Sequence, residues 1–148
     1  MKEYSCWNWC HSKRYYLTHP WQWFKDLKRN IKNTYMRARY GFCWIDVWNW
    51  DHWFLHTTPN MLRHMAEKGC AYPGHPPFET PEKWHDWLNE MADLLETGTD
   101  EWQDAHNEHY KKFNEQYLDR ANELEKQGEA NVQRVMNALG EHFFDLWD

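Results

Sequence analysis

From Pro20 onward, apolar residues fall at Trp21, Phe24, Leu27, Ile31 and Tyr35, while the opposite positions are Lys and Arg. That spacing is the period of an amphipathic α-helix. Pro20 suits its first turn and Gly41 its end. Asp46 is placed to cap a second helix, VWNWDHWFLHTTPNMLRHMAEKG, in which Val47, Phe54, Leu55, Met61, Leu62 and Met65 fall within about a third of the circumference. The stripe continues across Pro59, so one kinked helix is expected there rather than two. Residues 70–79 hold three of the six prolines and read as an ordered or extended loop. Thr80 and Pro81 form an N-cap and first helical position ahead of Trp84, Trp87, Leu88, Met91 and Leu95. After a break at 97–100, a long helix is expected to run to about Lys126, with Trp102, His109, Phe113, Tyr117 and Leu124 on one stripe. Past Gly128 a last amphipathic segment carries Val132, Val135, Met136, Leu139, Phe143 and Leu146, and it forms with the preceding helix either an antiparallel hairpin or one continuous helix. The alternation in 4–10 and 42–47 also admits a short strand pair.

The pattern predicts an all-α protein, a single domain over residues 1–148 with about five helices. An irregular segment, 1–19, precedes aromatic-rich helices over 20–96 and long amphipathic helices over 100–148. Composition strengthens this reading. There are twelve Trp, eight Tyr and seven Phe but only five Val or Ile residues, so a tryptophan-rich helical core is expected and a large sheet is not. No run of 18 apolar residues occurs and mean hydropathy is −1.08, which argues against a membrane span. The first residues, MKEYSCWNWCHSKR, lack the apolar stretch of a signal peptide, so the chain is expected to stay inside the cell that makes it.

Charge divides the chain. Residues 1–40 carry nine Lys or Arg against two acidic groups, whereas 41–100 carry three against ten and 101–148 five against eleven. The basic helix over 20–39 therefore leaves nucleic acid open as a partner, and its features would also suit a membrane surface. Its docking on the acidic helices of its own chain is slightly favoured over both. No membrane partner is expected, and self-association stays open. The four cysteines suggest buried reduced thiols. Cys6, Cys10 and His11 form a C-x3-C-H cluster, but no second ligand pair stands at zinc-finger spacing.

Candidate chemistry gathers on the second predicted helix. Trp53, His56, Arg63 and His64 lie away from its apolar stripe, with Tyr72 in the loop beyond. An indole plane, hydrogen-bond donors and positive charge together suit a planar anionic ligand such as a nucleotide. His52 and His56 have the i, i+4 spacing of two imidazoles sharing a metal, yet HWFLH lacks the glutamate of the H-E-x-x-H motif. A solvated or interface face is the plainer reading of these positions. His85 and Asp86 invite a phosphohydrolase comparison, although the helical wheel turns both outward. His109 is expected as a hydrogen-bonded core histidine. No catalytic motif and no cofactor-binding motif emerges.

The run WNWDHWFLHTTPNMLRHMAEKGCAYPG, followed by PFETPEKWHDWLNEMADLLE, resembles small uncharacterised proteins of bacteriophages and prophages in gut bacteria, over about residues 1–100. The resemblance implies an accessory protein in the cytoplasm of an infected bacterial host, of a kind that often counters host defence. The expectation is thus a non-enzymatic binding protein. It would sequester a nucleotide-derived signal at Trp53, His56, Arg63, His64 and Tyr72, or inhibit a host defence protein through an acidic helical surface. A metal-dependent phosphohydrolase built on His52, His56 or His85 and Asp86 is a further alternative.

Overall fold

Ser12 opens α1 (Lys13–Thr18), its hydroxyl oxygen accepting from the Tyr15 amide at 3.3 Å. Such a cap satisfies one of the amides that a first turn leaves without a helical partner. Pro20 then starts α2 (Pro20–Tyr40), and Gly41 closes it at φ 81°, a left-handed conformation that glycine adopts freely. The helices α3 (Trp44–Trp48), α4 (Trp50–Lys68), α5 (Pro81–Glu96), α6 (Asp100–Asn107) and α7 (Asn114–Glu141) follow. Short 3-10 turns occupy Tyr110–Lys112 and Phe143–Trp147. The structure, a computed structural model, describes residues 7, 9–69 and 71–147, excluding the side chains of Asn114 and Trp147.

The all-α reading stands, with seven α-helices among the described residues where about five were expected. The strand pair that the alternation admitted has no counterpart among the described residues. Trp44–Trp48 is helical, and residues 4–6 and 8 lie outside the described residues. Asp46 accounts for the local difference. It sits at the third position of α3, where its carboxylate accepts from the Cys43 amide at 2.7 Å, so the helix starts before Asp46 instead of being capped by it. Asn49 separates α3 from α4, which runs unbroken through the buried Pro59.

The described residues group into two compact units, within Lys2–Trp53 and within Phe54–Asp148. In the first, α2 presents its polar side to the interior. Asp26 is 1% exposed and Asn30 0%, whereas Trp21 is 71% exposed, Ile31 56% and Tyr35 62%. The stripe read as this helix's apolar face is therefore its exposed face. Ion pairing explains the inversion. Arg37 holds the buried Asp46 with two guanidinium nitrogens, Nε at 3.0 Å from Oδ2 and the second on Oδ1. A buried carboxylate is tolerated only when so paired. Burial alone would raise the Asp46 pKa, but Arg37 and the Cys43 amide outweigh it and hold it below the ordinary carboxylate value. Cys43 is a buried free thiol as expected, and burial pushes its pKa up. Cys10 is exposed, 3.4 Å from an Arg29 nitrogen, so the buried-thiol expectation fails there. Cys6 and Cys70 lie outside the described residues.

The second unit has an apolar core. Leu62, Phe78, Trp84, Leu88, Met91, Ala92, Leu95 and Val135 are buried together, with Leu55, Val132 and Leu139 packed on them. Thr80 caps α5 as the sequence predicts. Trp84 and Trp87 stack at 5.0 Å between ring centres, and Phe78 brings the 71–79 loop onto both. The core is nonetheless mainly aliphatic around Trp84, because seven of the twelve tryptophans, Trp7, Trp9, Trp21, Trp23, Trp44, Trp48 and Trp50, are exposed.

The expected C-terminal helix boundaries shift as well. The chain breaks between α6 and α7, around the 3-10 turn Tyr110–Lys112, and α7 runs on through Gly128. Gly128 is there for proximity. A Cβ at this position would stand 2.7 Å from the Thr97 carbonyl oxygen and 3.2 Å from the Gly98 Cα. Asn131 and Gln103 tie the same crossing, donating to the Thr97 hydroxyl at 3.0 Å and to its carbonyl at 3.3 Å.

Two stability predictions follow from these contacts. Gly128→Ala will lower the melting temperature despite alanine's better helix propensity, because the methyl meets backbone. Gly140→Ala, with open space around its Cβ, will raise stability by about 0.5 kcal/mol. Paired thermal melts followed by circular dichroism check the contrast. Asp46→Asn will destabilise the first unit by about 2 kcal/mol, because Arg37 loses its charge partner. In the wild type, the Asp46 carboxylate has a folded pKa below its unfolded value of about 3.9. Its stabilisation is therefore complete well above that value and is lost as pH falls through the folded pKa. Denaturant titrations of wild type and Asp46→Asn from neutral pH into the acid range will converge.

Candidate functional site

Within the first unit, the short α1 and the start of α2 enclose a cleft of about 540 Å³ lined by Trp9, His11, Lys13, Tyr16, Leu17, Pro20 and Trp23. Its walls are built from local order. The α1–α2 turn at His19 and Pro20 sets the two helices side by side, and the His19 ring stacks on Tyr15 at 4.2 Å. Trp7 and Trp9 then meet them, the Trp7 indole N–H donating to the Thr34 hydroxyl at 2.9 Å and the Trp9 ring edge-on to Tyr16 at 5.7 Å.

Tyr16 is the fixed point of the cleft. Its hydroxyl donates to Asp26 Oδ2 at 2.5 Å and accepts from the His11 amide at 3.2 Å. Asp26 also receives Gln22 at 3.3 Å and lies 3.0 Å from Arg29. The Tyr16 hydrogen bond, ahead of Arg29, keeps Asp26 below the ordinary carboxylate pKa against its desolvation. Burial first, then Asp26, pushes the Tyr16 phenol up, so it remains a neutral donor at physiological pH. The phenol ring is thereby locked as one wall, Trp9 and Trp23 supply indole faces, and His11 and Lys13 supply polar and cationic groups at the lining. Rings of this kind bind flat π-systems, and a lysine among them favours anions.

The residues singled out from sequence have other surroundings. Arg63 is committed within the second unit, one guanidinium nitrogen 2.6 Å from Glu96 and another 2.6 Å from Asp93. Glu96 foremost, with Asp93, raises its already high pKa against the opposing effect of burial. His56 faces Glu101 at 3.3 Å, with its side chain largely covered. Both residues therefore fasten α4 to α5 and α6. His64 is exposed, Trp53 is half-buried in the stretch that ends the first unit, and Tyr72 is an exposed loop residue whose ring lies beside Gly74. His52 is exposed. No group of three or more His, Cys, Asp or Glu placed to hold a metal occurs among the described residues. His85 is half-buried and Asp86 exposed on α5. His109 is exposed rather than in the core, because the chain leaves the helix there, and its ring lies edge-on to Tyr110.

Sequence reasoning overlooked Trp9, Lys13, Tyr16 and Trp23 as a group. A signal was present in the density of rings and bases over residues 7–23, which has no helical period because it spans a segment, a short helix and a turn. No family model, curated protein or solved structure matches the chain. The cleft has to be read from its own chemistry.

Arg63→Ala tests the structural role of the α4 face. It will lower the stability of the second unit by about 1 kcal/mol, modest because Asp93 and Glu96 are substantially exposed. Chemical denaturation at low and high salt will show the loss shrinking as ionic strength rises.

Proposed function

We propose that this is a non-enzymatic binding protein whose first unit takes up a planar, anionic small molecule of the nucleotide type. The observation that carries the reading is the cleft walled by Trp9, Tyr16 and Trp23 with Lys13 and His11 in its lining. A volume of about 540 Å³ lies in the range of small-molecule sites. Stacking on aromatic walls contributes about 1–3 kcal/mol per base, and it does not depend on which base is bound. Lys13 adds attraction for phosphate as a point charge. The resemblance to phage proteins supplies the setting, in which the ligand is a nucleotide-derived signal of host defence and its removal from solution is the whole activity. The reading differs from the sequence expectation in location: it moves from the α4 face, where Arg63 is neutralised by two carboxylates, to the α1–α2 cleft.

Calorimetric titration of the intact chain against linear and cyclic nucleotides tests the proposal. Saturable binding to at least one nucleotide is expected, weakened at least tenfold by Trp9→Ala and by Lys13→Ala, and unaffected by Arg63→Ala. No heat with any nucleotide, from protein whose circular dichroism shows it folded, overturns the reading. A stoichiometric protein partner from a bacterial lysate that persists in excess nucleotide would replace it with direct inhibition of a host protein. The surface for that second reading is α7, where Glu115, Asp119, Glu123, Glu125 and Glu129 are all exposed.

A further inference from the structure

The exposed side of α2 carries more apolar surface than a helix in water ordinarily leaves uncovered. Trp21, Phe24, Ile31 and Tyr35 are all exposed along it, and Leu27 is half-buried between them. The helix cannot roll to hide this stripe, because its other side is held inward by Asp26, bound to Tyr16, and by Arg37, bound to Asp46. Lys25, Lys28, Lys32 and Arg39 stand beside the stripe and are exposed. None of these four has a carboxylate partner among the described residues. The bases are thus not opposite the stripe as the sequence reading had them: on the helical wheel the arc of Lys25, Lys28, Lys32 and Arg39 adjoins the apolar arc, and Trp21 falls within it.

We infer that this face of α2 docks on an anionic lipid surface, the helix lying in the plane of the headgroups. Three features select that occupant. The uncompensated charge is uniformly positive, complementary to anionic headgroups. Tryptophan and tyrosine beside lysine are the side chains that favour the boundary between hydrocarbon and water. Ile31 and Leu27 are aliphatic and offer a base nothing to stack on, so a lipid uses the whole stripe where a nucleic acid would use only part of it. No helix among the described residues is long and apolar enough to cross a membrane, so attachment at the interface is the mode that fits. The inference stands apart from the nucleotide reading, because it uses none of the cleft residues.

Sedimentation of the intact protein with vesicles tests it, comparing pure phosphatidylcholine with mixtures containing phosphatidylglycerol. Partitioning onto the anionic vesicles is expected, with a blue shift of tryptophan emission and weakening at high salt. Phe24→Ser with Ile31→Ser should abolish it. Replacing Lys25, Lys28 and Lys32 together by alanine should reduce it on the order of 100-fold, at about 1 kcal/mol for each basic residue near the surface. All these positions are exposed, so circular dichroism should show the variants folded. Trp9→Ala should leave vesicle binding intact, which separates failure here from failure of the nucleotide reading. Failure of the folded wild type to sediment with anionic vesicles overturns the inference. So does a concentration-dependent dimer abolished by the same Phe24 and Ile31 changes, or tight binding of a single-stranded oligonucleotide that displaces the vesicles.

Discussion

Two carboxylates taken out of water organise the first unit. Asp26 and Asp46 are each buried, and each is stable there only because a donor reaches it: Tyr16 with Gln22 and Arg29 for one, Arg37 with the Cys43 amide for the other. These bonds set which side of α2 faces inward. Once that side is polar, the tryptophan, phenylalanine and isoleucine of the same helix have nowhere to go but outward. The Tyr16 bond also fixes the ring that walls the cleft. The exposed apolar face and the aromatic cleft are thus two results of one electrostatic requirement, a buried charge that has to be met.

The second unit is organised by the opposite rule. Its interior is leucine, methionine, alanine and valine around Trp84 and Phe78, and its charged groups lie at the margins, where Arg63, His56 and Arg134 meet carboxylates of neighbouring helices. The His75 and His142 rings converge on Asp145 in the same manner, at 3.2 and 2.9 Å. His142, ahead of His75, holds the Asp145 carboxyl below its usual value. Close approach at Gly98 and Gly128 lets α7 lie against the turn between α5 and α6.

These two rules explain which features the sequence revealed. Helix class and the starts at Pro20, Pro81 and Asp100 were legible, since capping residues and prolines act locally: Pro20, Thr80 and Pro81 stand where their chemistry implies. The α5 stripe was legible because that helix follows the usual division of apolar inside and polar outside. Helix α2 reverses the division, and periodicity identifies a stripe without telling which way it points. The partners that decide the matter, Tyr16 for Asp26 and Asp46 for Arg37, lie ten and nine residues away and belong to other helices. Gly128 left a hairpin and a continuous helix equally open for a related reason, since a glycine that ends a helix and one that admits a neighbour look alike in one dimension. The candidate site moved for the same cause: Arg63 and His56 have the right chemistry for an anion, but carboxylates of α5 and α6 reach them first.

The uneven distribution of indoles also gives each unit its own optical signature. In the first unit the exposed tryptophans sit in water, so their emission responds to whatever covers them. In the second, Trp84 and Trp87 lie nearly parallel at 12° and close enough for their electronic transitions to couple. Such coupling contributes to the far-ultraviolet circular dichroism, and that contribution vanishes when the stack separates. Emission colour is therefore weighted toward the exposed indoles of the first unit, and the Trp84–Trp87 coupling reports on the core of the second.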